Sequence, residues 1–163
     1  MRECRGLEGR GRGQVRRETP LPDPHSLVQE RVGDALFGLL LHEAGALGPH
    51  LITYHTNIID EEELELLDEY QVGVVHCPTA SFAGAYGAIS EGFHPEMFQR
   101  GMKHGLGCDT APESNFVDMF RVMFSVTAHR DYRLDATLFP PEHILEMGTL
   151  GGARAMNMEK QVG

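Results

Sequence analysis

The stretch from Leu51 to His76, LITYHTNIIDEEELELLDEYQVGVVH, places two short apolar runs on either side of an acidic segment. Leu51–His55 and Val72–His76 lack an alternating polar face, which favours buried strands. In the acidic segment, Asp60 with Glu63 three residues later forms a helix-capping pair, and the glutamates of this helix are expected to face water. The stretch therefore predicts a strand, a helix and a second strand.

A third unit of the same kind follows along the chain. Thr79–Gly92, rich in Gly, Ala and Ser, is predicted to be a loop, and Pro95 to open a helix. Lys103–Cys108 predicts a weaker strand because it contains two glycines.

Further helices are predicted on both sides of these units. Upstream, residues 28–41 have an apolar repeat with helical spacing, and downstream Pro140 and Pro141 begin a helix. Asn115 and Asp118 can cap a helix, whose predicted inward face consists of Val117, Phe120, Phe124 and Thr127. Thr149 is predicted to cap a last short helix.

Strand followed by helix, three times over, predicts an α/β fold with a parallel sheet covered by helices. Two architectures remain open at this point, an open doubly wound sheet and a segment of a (β/α)8 barrel. No glycine-rich phosphate loop follows any predicted strand, which disfavours a nucleotide-binding fold.

Composition excludes several classes of protein. The net charge of −10 argues against a nucleic-acid partner, since such a protein needs cationic groups to grip phosphates. No apolar run reaches the roughly 18 residues of a membrane-spanning helix, so no membrane association is expected. Three cysteines suit a reducing compartment, and a cytoplasmic location is the expectation.

The amino-terminal segment differs in character from the rest. Residues 1–24 contain six arginines, four glycines and three prolines and have no apolar periodicity. We expect a basic, disordered arm at 1–24 and a folded domain at 25–163.

Ionisable side chains stand at the ends of the three predicted strands: His55, His76 and Asp109. In a parallel sheet they would meet at the carboxyl-terminal edge, where barrels and open sheets build active sites. Two imidazoles and a carboxylate can bind a divalent metal such as Zn²⁺ or Fe²⁺. Equally, a histidine at a strand end can bond a carbonyl and an aspartate can cap a helix.

Four ordered motifs resemble the amidohydrolase superfamily, in particular its branch of cytosine, guanine and S-adenosylhomocysteine deaminases and triazine chlorohydrolases. They are GPHLITYH at 48–55, GVVHCPT at 73–79, GLGCD at 105–109 with Asn115, and LEMGTLGGARA at 145–155. The resemblance covers roughly residues 32–163. It implies strands six to eight, with their helices, of a (β/α)8 barrel.

The resemblance also implies roles for four residues. Asp109 would be a metal ligand that also accepts a proton from the attacking water, and His55 would sit beside that water and polarise the group under attack. His76 would line the substrate pocket and Asn115 would help shape the substrate-binding loop after the last strand, although the spacing of Asn115 favours a helix N-cap over any catalytic role. The implied activity is hydrolysis of a carbon–nitrogen bond other than a peptide bond, at a heteroaromatic ring carrying an amino or halide group, with Zn²⁺ or Fe²⁺.

Two signatures of the family are missing where the resemblance requires them. The chain has no His-x-His pair on a first strand, and no fifth strand carries a His followed three residues later by Glu. His104 also stands at a strand position that is usually apolar. We therefore expect an incomplete copy of the site that is inert alone and that associates with itself or with a partner chain covering the open sheet edges. The alternative is a non-catalytic fragment or pseudoenzyme that packs against another chain.

Overall fold

The computed structural model describes residues 37–162 and contains, within that range, one sheet of three parallel strands in the order β1-β2-β3. The strands are β1 (Ile52–Tyr54), β2 (Gly73–His76) and β3 (His104–Leu106). The α-helices are α1 (Phe37–Glu43), α2 (Glu61–Glu69), α3 (Pro78–Gly84), α4 (His94–Arg100), α5 (Ala111–Ser114), α6 (Met119–Val126), α7 (Ala128–Arg133), α8 (Pro141–Glu146) and α9 (Gly152–Ala155), with a π-helix at Met147–Gly151 between the last two.

The predicted α/β class with a parallel sheet is confirmed. Thr53 pairs with Val74, and Val75 pairs with Gly105, so that the three strands run side by side in one direction. All four residues of β2 are buried, as expected of a central strand covered on both faces. The strands are shorter than the apolar runs that predicted them.

Both faces of the central strand are covered by side chains from helices. On one face Val74 packs with Leu64 of α2 and Met97 of α4. On the other, Val75 packs in a cluster with Ala155 of α9. Because successive strand residues point to opposite faces, this arrangement buries the apolar run from both sides.

The glycine in β3 that weakened its prediction has a packing function. A Cβ on Gly105 would lie 2.8 Å from the Cα of Gly152, so only glycine lets the carboxyl-terminal helical segment approach the strand this closely. Gly73 of β2 is in a similar position, since a Cβ there would clash with the backbone oxygen of Ala155.

The capping pair of α2 is confirmed, because the Asp60 carboxylate accepts a hydrogen bond from the Glu63 backbone N–H at 2.8 Å. The expectation that every glutamate of this helix faces water is wrong for Glu63. Its side chain is buried and accepts a hydrogen bond from the Gly38 N–H at 2.7 Å. Burial raises the pKa of Glu63, while hydrogen bonds from the backbone of Gly38 and Asp60 lower it.

The predicted inward face of the helix after β3 is wrong. Phe120 and Phe124 are 79% and 77% exposed, whereas Val122 and Val126 are fully buried. The Asp118 carboxylate caps this helix, α6, and Asn115 ends the preceding helix α5 in a left-handed conformation. Asn115 is therefore not the N-cap that its spacing allowed.

Other helix boundaries differ from the predictions in smaller ways. The start of a helix at Pro95 and another at Pro141 is confirmed to within a residue. The segment predicted as a loop from Thr79 includes most of α3. Thr149 caps no helix but lies inside the π-helix, where its hydroxyl donates to the Leu145 carbonyl at 2.8 Å.

The predicted arm at 1–24 and the first part of the helix predicted at 28–41 lie outside the described residues. Across the part of the chain that the structure describes, no helix is long and apolar enough to cross a membrane.

Candidate active site

Two of the three residues predicted at the strand ends are in contact. His55 directly follows β1 and Asp109 lies shortly after β3, and the His55 Nε2 is 3.2 Å from the Asp109 Oδ2. Their side chains are 32% and 23% exposed, which leaves the pair accessible from solvent. A carboxylate bonded to an imidazole can hold a proton or pass it to a bound molecule.

The backbone at this pair has an unusual conformation. His55, Thr56 and Asp109 have φ values of 65°, 50° and 59°, in the left-handed region that side chains disfavour. Such residues cost about 1–3 kcal/mol each and persist only where the surroundings hold them. Contacts from the surrounding chain must therefore hold His55 and Asp109 in place.

Local hydrogen bonds hold both residues in these conformations. The His55 N–H donates to the Val75 carbonyl at 3.0 Å, so the end of β1 stays attached to β2. The other carboxylate oxygen of Asp109, Oδ1, accepts the Thr110 N–H at 2.6 Å. The two carboxylate oxygens of Asp109 thus have different partners: Oδ1 binds the Thr110 N–H and Oδ2 faces the His55 imidazole.

Two further side chains stand beside the pair and were not identified from the sequence. The Tyr86 ring meets the His55 ring edge-on at 5.8 Å between centroids, and its hydroxyl donates to the Glu113 carboxylate at 3.3 Å. The charge of Glu113 raises the pKa of Tyr86. Their only sequence signal is their position in the segments after β2 and β3, where parallel sheets place functional residues.

His76 does not join His55 and Asp109 at the surface. Its side chain is fully buried, its ring centroid lies 3.7 Å from that of His94 with the two planes tilted by 30°, and its Nε2 lies 3.2 Å from the Nε2 of His129. His104 also contacts His94, with 3.1 Å between the His104 Nε2 and the His94 Nδ1. We call these four residues the histidine cluster: His76, His94, His104 and His129.

Burial lowers the pKa of every member of the histidine cluster, to about 3 for His104 and about 4 for His129. For His76 and His94, burial acts first and neighbouring imidazoles add to it, lowering the pKa well below 6.5. The cluster is therefore neutral at physiological pH. His104 stands out in the sequence at a strand position that is usually apolar, whereas His94 and His129 have no sequence signal, since isolated histidines in helical segments form no pattern.

Asn115 is exposed and lies apart from the histidine cluster. It lines an open depression of about 340 Å³ together with Thr79, Phe82 and Phe116. A second cavity, of about 430 Å³, lies beside β1 and is lined by Thr53, Tyr54 and the buried Glu63 among others.

The donor set at the site does not form a metal centre by itself. Among the described residues, no group of three or more His, Cys, Asp or Glu side chains is arranged to hold an ion. His55 and Asp109 supply two donors, whereas a catalytic zinc site has three protein ligands.

One His-x-x-Glu spacing does occur, at His143 and Glu146, and it does not replace the missing motif. Both residues lie in helix α8, not on a strand. The His143 ring packs 4.3 Å from the Phe98 ring, and Glu146 forms an ion pair with Arg154. Neither is in contact with Asp109.

Comparison with known proteins gives one family and a consistent set of relatives. The model of the amidohydrolase family matches residues 12–163. A 5-methylthioadenosine/S-adenosylhomocysteine deaminase of Syntrophobacter fumaroxidans is 40% identical over 124 residues, which are 76% of this chain and 28% of that protein. A 5'-deoxyadenosine deaminase of Methanothermobacter thermautotrophicus is 32% identical over 122 residues, or 73% of this chain and 27% of that protein.

A solved structure extends the comparison to the fold. An adenosine deaminase from Xanthomonas campestris, crystallised with bound zinc, superposes with a TM-score of 0.70 and 27% identity. The match covers 82% of this chain and 31% of that one. The chain thus spans less than a third of the length of each of these relatives.

Proposed function

Because the chain belongs to the amidohydrolase family, we propose that it carries one part of the active site of a metal-dependent hydrolase of carbon–nitrogen bonds other than peptide bonds. The single observation that carries the proposal is the contact between His55 and Asp109 at the carboxyl-terminal edge of the sheet. The names of the relatives favour removal of an amino group from a purine over removal of a halide. The substrate class is a small heteroaromatic compound.

In this proposal Asp109 and His55 have different roles. Asp109 would supply one ligand to the metal and accept a proton, and its partial exposure leaves the carboxylate accessible to water. His55, held 3.2 Å from that carboxylate, polarises the substituent under attack and carries the proton towards the leaving group.

The other two predicted residues would act on the substrate. Asn115 is exposed in an open depression, which supports contact with a bound molecule. His76 is enclosed by His94 and His129, so it would support the pocket from behind its surface instead of touching the substrate directly.

The family implies a divalent metal, Zn²⁺ or Fe²⁺, and the described residues do not fit a complete site for it. We propose that Asp109 contributes one ligand and that other strands of the family's barrel contribute the rest. The 163 residues alone would then be inert, because no side chains fix the ion in a reactive geometry.

The fold proposal follows from the same family. The three strands correspond to strands six to eight of a (β/α)8 barrel, and β1 and β3 each pair on one side only within the described residues. The cavity beside β1, lined in part by Thr53 and Tyr54, supports the proposal that a neighbouring strand packs there. A second copy of the chain or a partner chain would cover these edges.

A cytoplasmic location is also proposed, supported by the free thiols of Cys77 and Cys108.

A second candidate is a non-catalytic protein that packs against another chain. The exposed Phe120 and Phe124 on α6 favour it, because large apolar side chains in contact with water mark interaction surfaces.

An activity assay separates the two candidates. The chain would be mixed with zinc or ferrous ion, alone or with a polypeptide carrying the first five strands of a relative, and ammonia release would be measured from adenosine analogues, guanine and cytosine, and chloride release from chlorotriazines. We expect turnover only in the mixture, abolished by Asp109→Asn and unchanged by Asp131→Asn on the exposed surface of α7. Turnover that survives Asp109→Asn would refute the proposed enzyme.

A further inference from the structure

The turn after β1 is the element that presents His55 to Asp109. His55 and Thr56 both have positive φ, and the next residue, Asn57, turns its side chain inward, where it is 6% exposed. A turn with two residues in the left-handed region needs contacts from outside to stay in one conformation. The buried Asn57 side chain is the place where such contacts can act.

His94 makes that contact. The Nε2 of His94 is 3.3 Å from the Oδ1 of Asn57. An amide oxygen only accepts hydrogen bonds, so the Nε2 of His94 carries the proton and donates. His94 is itself fixed, because it is the first residue of α4 and its side chain is fully buried.

The second nitrogen of His94 connects the turn to β3. In a neutral ring with a protonated Nε2, Nδ1 is an acceptor, and it lies 3.1 Å from the Nε2 of His104. His104 begins β3, the strand that leads to Asp109. The buried bonds thus run from Asn57 through His94 to His104, and join the two chain segments that carry the reacting pair.

We propose that His94 is a positioning residue, which holds the turn from His55 to Asn57 through the Asn57 side chain, with its own orientation set by His104, so that the His55 imidazole stays against Asp109. The proposal rests on the proposed function only in taking His55 and Asp109 as the reacting pair. It differs from a role in packing because it assigns one tautomer to each ring and one hydrogen bond to the turn.

The electrostatics of the neighbourhood are consistent with these tautomers. Burial lowers the pKa of His94, and the neighbouring imidazoles of His104 and His129 lower it further. The ring therefore stays neutral, with one nitrogen donating and one accepting.

The test observes the His55 ring directly in the metal-free chain labelled with ¹⁵N-histidine. We expect a downfield resonance from the proton between the His55 Nε2 and Asp109, identified by its loss in Asp109→Asn. His94→Ala and Asn57→Ala, which break the same contact from its two sides, should each lose this resonance. His94→Gln keeps a donor for Asn57 and should retain it.

His129→Gln is the matched control, since it replaces another buried imidazole of the histidine cluster that does not touch the turn. It should lower stability and leave the His55 resonance in place. A resonance of unchanged intensity in His94→Ala or in Asn57→Ala would overturn the proposal. The failure of the proposed function has a separate sign, namely deaminase turnover that is insensitive to Asp109→Asn.

Discussion

At the scale of single residues, the site depends on where two side chains are held more than on how reactive they are alone. Asp109 divides its two oxygens between the Thr110 N–H and the His55 imidazole. His55 stands on a turn whose backbone conformation is unfavourable by itself. Removing the Asp109 side chain should therefore affect metal binding, whereas removing the His55 side chain should affect turnover.

We predict that Asp109→Asn, in a protein completed by the family's first five strands, loses bound metal and activity together. His55→Asn should keep the metal and slow turnover by about 10²-fold to 10⁴-fold, the range of general acid and base groups. Metal content and ammonia release measured on the same samples check the distinction. Equal metal loss in both variants would contradict the separate roles.

The histidine cluster makes the stability of the fold depend on pH. In the folded chain, burial depresses the pKa of His104 to about 3 and that of His129 to about 4, below the 6.5 of an exposed histidine. Unfolded chains thus bind more protons in acid. The stability from these residues is complete above pH 6.5 and is lost as the pH falls from 6.5 towards 4 and 3.

We predict that the free energy of unfolding decreases steeply between pH 6.5 and pH 4, by roughly 1.4 kcal/mol per pH unit for each buried histidine. His129→Leu should reduce the number of protons taken up on unfolding by about one and so make this decrease shallower. His50→Leu, on an exposed loop, is the control and should leave the slope unchanged. Urea unfolding at several pH values checks it. An unchanged slope in His129→Leu would show that this ring is charged or exposed in the folded chain.

At the scale of elements, the close approach of the carboxyl-terminal helical segment to β3 depends on glycine. Gly105→Ala would put a Cβ 2.8 Å from the backbone of Gly152, whereas a Cβ on Gly152 has open space around it. We predict that Gly105→Ala destabilises the fold by about 1–3 kcal/mol. Gly152→Ala should be tolerated, and urea unfolding of the two variants compares them. Equal stability in both would contradict the packing.

Some elements could be predicted from the sequence because the local pattern has one reading. The apolar runs before His55 and His76 have no polar side, which predicts two buried strands. The Asp60–Glu63 pair has a defined capping geometry, which predicts the helix between them. Helix α6 is different, since apolar residues occur on more than one face of the helix. Val117, Phe120 and Phe124 form a stripe at helical spacing, and so do Val122 and Val126, and only tertiary contacts decide which stripe is buried.

The site could be predicted only in part for a similar reason. His55 and Asp109 were identifiable because they follow strands that end at one edge. His94, Tyr86 and Glu113 lie in segments without periodicity, and their contacts with the turn, with His55 and with Tyr86 arise from the fold alone. The burial of His76 likewise depends on helices that pack over the strand end.

At the scale of the whole molecule, three parallel strands cannot close a barrel. The outer sides of β1 and β3 carry backbone groups that are unpaired within the described sheet, and Phe120 and Phe124 add exposed apolar surface. We predict that the isolated chain associates, as measured by sedimentation velocity over a range of concentrations. A sharp monomeric boundary together with a cooperative melt would contradict this.

The central claim is that the edge carrying His55 and Asp109 is one part of a metal-dependent active site. The most direct test is a crystal structure of the chain bound to a polypeptide with the family's first five strands, grown with zinc and measured at the zinc absorption edge. We expect an anomalous peak about 2.0–2.2 Å from an Asp109 carboxylate oxygen, with the His55 imidazole beside it. Zinc bound elsewhere, with Asp109 outside bonding distance, would contradict it.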